Sequence, residues 1–402
     1  MIFHLTRYVP VKTISGDLCP VARRDISQRR PGRAFVATLA AGKGQPVRRI
    51  LARTAVVVGT LVAVLVVVAG VLIITDGGAL KLPVTHTDTF DAAGIDLPPL
   101  VVDGNRLRTA AGDDVVLRGV MIPEPEVVHA DHHFNARFIE EVAATGATVI
   151  RIPVHPGHWL TDEDYLWRYL DPLVRWAGEA GMYAIIDWHS IGNPVTGTAP
   201  HEPDLYAHTD ALNHAFWTQV AGYFADAPHV LMEVFNEPQG ISEDAWRDAA
   251  TDLVATIRAQ GATQPVIVGG IEYGRILTWV LDEPLADDAV IYASHIYPVH
   301  APGGWDTWFG AVAEQHPVLM TEWGFIDDDV APAPEHAYLR GTAAGFGEPF
   351  LDYLDERGIG WVACWWHDRW QPALLDDDGA PTRSGRFILD ALTSPAALPS
   401  GT

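Results

Sequence analysis

The stretch Val230-Leu-Met-Glu-Val-Phe-Asn-Glu-Pro238 reads as a buried strand that stops abruptly at Asn236-Glu237-Pro238. A second stretch, Pro317-Val-Leu-Met-Thr-Glu-Trp-Gly324, has the same form and ends on Glu322. Packing alone gives an apolar run no reason to carry a carboxylate at its tip. Around these two runs the chain alternates short apolar segments with amphipathic ones. Strands are expected at 115–122, 147–154, 183–189, 229–237, 265–270, 290–297, 317–324 and 360–366. Helices are expected at 134–145, 164–180, 210–225, 242–260, 275–282, 304–315, 347–357 and 385–393. Such alternation implies a parallel sheet, and eight units point to a closed (β/α)8 TIM barrel over residues 98–395. A doubly wound open sheet is the rival. It is disfavoured because the first strand, Leu117-Arg-Gly-Val-Met-Ile-Pro-Glu124, is followed by no glycine-rich phosphate loop. Before the barrel, Val101-Val-Asp-Gly-Asn-Arg-Leu107 reads as a hairpin turning at Asp103-Gly104-Asn105.

In a barrel the C-terminal strand tips converge on one face, where the chemistry is done. Here those tips carry Arg151, His189, Asn236 with Glu237, His295 with Tyr297, and Glu322. Polar groups on apolar strands are costly unless they bond to one another or to a ligand, and their recurrence at tip after tip is hard to obtain from packing. Two glutamates presented by two strand tips suit paired-carboxylate chemistry on a sugar. Several tryptophans follow strands; Trp159, Trp365 and Trp370 are the candidate cleft walls, since a sugar ring stacks its C–H face on such rings. The histidines at 129–133 and 155–158 invite a metal reading. No His-x-His closes the first strand and the two cysteines cannot build a zinc site, so neither metal nor cofactor is expected.

The motifs Leu117-Arg-Gly-Val, Arg151-Ile-Pro, Asp187-Trp-His, Asn236-Glu-Pro, His295-Ile-Tyr and Thr321-Glu-Trp-Gly, taken in this order, resemble the family 5 glycoside hydrolases of the cellulase type. The resemblance implies a (β/α)8 barrel and retaining hydrolysis of a β-linked polysaccharide. β-1,4-Glucan is the first expectation; a β-mannanase or an exo-β-glucosidase of the same family is the alternative. It further implies Glu237 as acid/base and Glu322 as nucleophile, with Arg151, His189, Asn236, His295 and Tyr297 around them. A tryptophan late in the eighth strand is implied beneath the sugar being cleaved. In ungapped register Cys364 stands there, with Trp365 next to it; Trp365 is taken for that role and Trp366 for the opposite face. A reading of another class, a carbohydrate-binding surface protein on an inactive barrel, leaves both glutamates and their polar partners unexplained.

Outside the barrel, residues 1–53 hold eleven Arg or Lys against Asp17 and Asp25, whereas the whole chain has a formal charge of −24. The remainder is therefore strongly acidic and would repel nucleic acid. Thr54 to Thr75 contain no charged residue, and about 20 apolar residues suffice to cross a bilayer. Arg48, Arg49 and Arg53 on the N-terminal side put the basic tail in the cytoplasm and the large domain outside, anchored through residues 54–75. Cleavage as a secretory signal is the alternative, but no small-x-small site follows the run. Residues 76–97 read as a linker and 396–402 as a disordered tail. The catalytic domain is expected to be monomeric. Cys19 and Cys364 lie on opposite sides of the apolar run and are not expected to pair.

Overall fold

The computed structural model describes residues 81–199, 202–300 and 302–394. The basic tail, the apolar run 54–75 and residues 396–402 lie outside these. Among the described residues no helix is long and apolar enough to cross a membrane.

Eight parallel strands close into a barrel in sequence order: β1 Arg118–Met121, β2 Val149–Val154, β3 Tyr183–Trp188, β4 Val230–Glu233, β5 Val266–Gly269, β6 Val290–Ile296, β7 Val318–Trp323 and β8 Gly360–Ala363, with β8 pairing back onto β1. The side-chain period of two sorts each strand between two environments. In β2, Ile150, Ile152 and Val154 face outward into the core shared with the helices, while Val149 and Arg151 face inward. The inward set at the N-terminal end is apolar: Leu117, Val149, Tyr183, Leu231, Ile267 and Leu319 form one cluster. Gly119 is where β1 and β2 approach most closely, since a Cβ there would lie 1.7 Å from the Val149 carbonyl oxygen.

The helices have the capping chemistry that such a layer needs. Asn135, Thr209, Ser242 and Thr382 each accept from a backbone N–H in the first turn of the following helix, worth about 1 kcal/mol apiece. Helix Glu243–Ala259 buries Trp246, Ala250, Leu253, Val254 and Ile257, a single face at 3–4-residue spacing. Helix Glu348–Arg357 ends at Gly358, which takes the left-handed φ of 64° and donates to the carbonyls of the last turn.

The expected hairpin pairs Leu100–Asp103 with Arg106–Thr109, and Asp114–Val115 adds a third strand. Leu100 and Leu107 join the apolar cluster inside the barrel, so this sheet closes its N-terminal end. Residues 81–97 form no helix or strand, yet they are pinned. Phe90 is buried and donates its N–H to the Tyr223 carbonyl, and Lys81 bridges Glu126 (2.9 Å) and Asp162 (3.1 Å).

Two of the boundaries that depart from the expected ones bear on the site. The helix expected at 275–282 shortens to Thr278–Asp282 because Ile271 and Ile276 pair through their backbones across a tight loop, with Glu272 and Tyr273 at φ 55° and 61°. The strand expected at 229–237 leaves the barrel after Glu233. Asn236 and Glu237 donate their N–H groups to the Trp188 and Ser190 carbonyls, and Glu237–Pro238 pairs with Ile191–Gly192. That excursion carries Glu237 from the barrel wall to its mouth.

Candidate active site

Arg151 organises the mouth from beneath. Its inward position on β2 leaves it fully buried, and every arm of the guanidinium is engaged. Nε donates to Glu233 Oε2 (2.6 Å), Nη1 to Glu322 Oε1 (2.8 Å) and Nη2 to Asn236 Oδ1 (2.8 Å), with Asp187 Oδ2 at 3.0 Å from Nη2. One cation thus meets three carboxylates from β3, β4 and β7. Removing these charges from water is expensive, and the arrangement persists because nearly every donor finds an acceptor.

The two glutamates that opened the sequence reading face each other over this base. One carboxylate oxygen of Glu237, one of Glu322 and a ring nitrogen of His295 lie within 4.8 Å of one another. Glu322 accepts from the Tyr297 hydroxyl at 2.7 Å, and His295 Nδ1 is 3.0 Å from Glu237 Oε1 and 3.7 Å from Glu322 Oε2. Their surroundings push the two carboxyls in opposite directions. Burial raises Glu322, but His295, Arg151, His189 and the Tyr297 hydroxyl outweigh it and hold the group at about 2. Glu237 is raised, chiefly by burial and then by the Glu322 charge, with His295 pulling against them. The pair therefore keeps one carboxylate ionised while favouring a proton on the other, the separation of roles that acid–base catalysis with two like groups needs.

Beside the pair stands an aromatic wall. His189, held through Nδ1 by Asp187 Oδ2 at 2.5 Å, meets Trp365 edge to face (5.9 Å between ring centres); Trp365 in turn meets Trp370 (4.9 Å), which stacks on His155 at 5.8 Å. Arg151, His189, Asn236, Glu237, His295, Tyr297 and Glu322 are thus brought together, with Trp365 and Trp370 alongside. Trp159 is not. Its ring packs edge-on against Phe216 (4.8 Å) and Tyr165 (5.7 Å), because the short helix Pro156–Thr161 turns it toward the core outside the barrel. At the end of the eighth strand Cys364 is fully buried with Sγ 3.7 Å from the Tyr297 hydroxyl, Trp365 lies on the His189 side, and Trp366 packs in the core outside the barrel.

Three further polar residues belong to this group: Asp187 and Thr321, which the sequence motifs contain without assigning them to the site, and Glu233, all fully buried. A signal existed for Glu233, an ionisable residue inside an apolar run at the same inward parity as Leu231. Among the described residues two clusters have the composition of a metal site. One is Glu237, His295 and Glu322, already joined by hydrogen bonds. The other is Glu124, His155 and His158, where the Glu124 carboxylate is committed to the N–H groups of Glu126 and Val127, the Tyr165 hydroxyl and an ion pair with His158 at 2.6 Å. Those partners hold Glu124 and His158 in place, and His155 stacks on Trp370, so the second cluster stands behind the aromatic wall.

Comparison with known proteins bears on this geometry. Endoglucanase A of Butyrivibrio fibrisolvens is 28% identical over 242 residues, 57% of this chain and 53% of that protein. Endoglucanase E-5 of Thermobifida fusca is 24% identical over 297 residues, 71% of this chain and 59% of that protein. The chain spans about half the length of the curated relatives it matches. Among solved structures, a beta-glucanase of Saccharophagus degradans superposes with a TM-score of 0.72 at 26% identity, over 78% of this chain and 97% of that one. A second structure of that beta-glucanase, in complex with cellotetraose, superposes equally well at 25% identity. The family model for cellulase (glycosyl hydrolase family 5) matches residues 109–369, and the chain belongs to that family.

Proposed function

We propose that the chain is a retaining β-glycanase that cleaves internal bonds of a β-1,4-glucan. The observation that carries this reading is the pair Glu237 and Glu322, with oxygens within 4.8 Å and proton affinities driven apart. Retaining enzymes hold their carboxyls about 5–5.5 Å apart, whereas inverting ones leave about 6.5–9.5 Å for a water between them. In the first step a Glu322 oxygen bonds to the anomeric carbon while the bond to the leaving oxygen breaks, and Glu237 gives that oxygen its proton. The ester removes the Glu322 charge, which weakens the force raising Glu237 and makes it a base. It then takes a proton from water, whose oxygen attacks the anomeric carbon and frees Glu322. Asn236, fixed by Arg151, is the residue we assign to the sugar 2-hydroxyl, and Trp365 and Trp370, which meet edge to face beside the pair, are those we assign to stacking on the chain of sugars. The choice of a β-1,4-glucan is supported by the endoglucanase relatives and by the cellotetraose complex of the Saccharophagus protein. Anchorage through residues 54–75, with the domain outside the cell, is supported by the sequence pattern alone; membrane fractionation of cells making the full chain tests it.

The decisive experiment is chemical rescue. Glu322→Gly should lose about 10³-fold or more of its turnover on an activated aryl cellobioside, and azide should restore it with an α-glycosyl azide as product. Glu237→Ala with azide should give the β-product. Release of an α-configured sugar by the wild-type enzyme, followed by NMR, would contradict retention.

A further inference from the structure

Behind the two glutamates runs a second line of hydrogen bonds that the mechanism above does not use. Glu233 splits its carboxylate: Oε2 receives Arg151 Nε at 2.6 Å and Oε1 receives the Thr321 hydroxyl at 2.8 Å. Thr321 Oγ1 then lies 3.1 Å from His295 Nε2, and His295 Nδ1 lies 3.0 Å from Glu237 Oε1. All four of Arg151, Glu233, Thr321 and His295 are buried to 1% exposure or less, so water does not compete for these bonds.

Counting protons fixes the direction of the line. Arg151 against Oε2 keeps Glu233 an acceptor. A threonine hydroxyl has one proton, and it is committed to Glu233, so toward His295 the hydroxyl oxygen can only accept. His295 must then carry its proton on Nε2, which leaves Nδ1 as the atom that gains or loses one. We propose that Thr321 and Glu233 are positioning residues that lock His295 as the Nε2–H tautomer, so that His295 and Glu237 share a single exchangeable proton between Nδ1 and the carboxyl. This rests on the reading of Glu237 as acid/base. Neutral His295 in this form has no N–H to offer Glu237 and can only accept its proton, which favours the protonated acid; the downward pull of His295 on Glu237 belongs to its imidazolium form. The opposite tautomer would donate Nδ1–H, stabilise the ionised carboxylate and remove the acid. The other charged or titratable groups acting on the His295 ring are Glu322 at 3.7 Å from Nδ1, Arg151, Glu233 and His300. The Gly274 backbone covers the ring from the loop after β5.

Thr321→Val keeps the shape and removes the acceptor. At pH 7 its kcat/KM should fall about tenfold on phenyl β-cellobioside, whose leaving group needs a proton. It should fall less than about twofold on 2,4-dinitrophenyl β-cellobioside, whose leaving group does not. The basic limb of its pH profile should move down by about one unit, and Thr321→Ser should restore both. An equal fall on the two substrates, or an unmoved basic limb, overturns the proposal, since a loss of packing alone would not distinguish leaving groups. Glu237→Ala, assayed alongside, tests the underlying reading separately: without the same leaving-group split the acid assignment falls, and the relay with it. The wild-type tautomer is also readable without any variant of Thr321. Long-range ¹H–¹⁵N spectra of histidine-labelled protein, with the His295 signals identified by their loss in His295→Gln, should show a protonated Nε2 and a bare Nδ1 at high pH. A bare Nε2 overturns it.

Discussion

The two ends of the barrel are built from the same eight strands and have almost nothing in common chemically. At the N-terminal end the inward positions are Leu117, Val149, Tyr183, Leu231, Ile267 and Leu319, sealed by Leu100 and Leu107 of the hairpin sheet. Two residues further along the same strands, or four in β3, the inward positions become Arg151, Asp187, Glu233 and Thr321, joined by hydrogen bonds and ion pairs. In β2 the change takes one step of the pleat, from Val149 to Arg151; in β4 it takes one step from Leu231 to Glu233. The N-terminal half supplies apolar burial, at about 25 cal/mol per Å². The C-terminal half supplies little of that and instead holds charges that are stable only in one another's company. Stability and chemistry therefore occupy different heights of one barrel.

That division can be broken most severely at Arg151. Arg151→Met should abolish turnover by about 10³-fold or more, because it removes the cation that holds Glu322 ionised and Asn236 in place. It should also destabilise the fold by about 3–5 kcal/mol, since Glu233, Asp187 and Glu322 would be left as buried charges without their partner. Urea denaturation and steady-state kinetics on the same preparation check both parts. A variant that keeps its stability but loses activity would mean that the carboxylates simply take up protons.

The mirror-image change lies two residues below Glu233. Leu231→Ala at the sealed end should cost about 2–5 kcal/mol, as a buried leucine truncated in a packed core does. At temperatures where the protein remains folded, kcat/KM should stay within about twofold of wild type. A larger loss of activity would show that the apolar end sets the geometry of the mouth, and the two-storey description would have to be given up.

The lower storey was far easier to read from the sequence than the upper one. Short apolar runs with helical segments between them announce a parallel barrel, and all eight strands lie within the expected segments. Arg151, His295 and the two terminal glutamates stood out because a polar side chain on an apolar strand has few explanations. Glu233 was concealed by its neighbour: three residues before Asn236-Glu237, it looked like part of the same run, and only its inward parity with Leu231 marks it. Thr321 carries no charge to draw attention, and its importance is a matter of which atoms it touches. Strand eight was ambiguous because both of its faces are filled with large side chains. Whether Cys364 or Trp365 meets Tyr297, the partner of Glu322, depends on where the strand leaves the ladder, which sequence patterning does not record. Trp159 sits in a helix of six residues, too short to display a periodic face. The loop at 271–276 depends on two non-glycine residues with positive φ, which no composition rule predicts.

The smallest expected effect comes from the acids themselves, read as folding probes. Glu322 titrates at about 2 in the folded chain against its ordinary 4.5. A depressed carboxyl stabilises the fold fully above its unfolded value, and that stabilisation is lost as pH falls through the interval between the two. At pH 3 about 2 kcal/mol of it should be gone relative to pH 6. Glu237 works in the opposite sense. Its raised value means that the folded form holds a proton more tightly, so its contribution is complete below 4.5 and is withdrawn as pH rises through the folded value. Wild type and Glu322→Gln should therefore differ in the slope of stability against pH. Over pH 6 to 3 the wild type loses ground to the variant by about 2 kcal/mol in denaturant titrations, and parallel slopes would mean that Glu322 is not held ionised by Arg151 and His295. Leu231→Ala, altered at the uncharged end, should run parallel to wild type throughout, which makes it the control that assigns the slope to the mouth of the barrel.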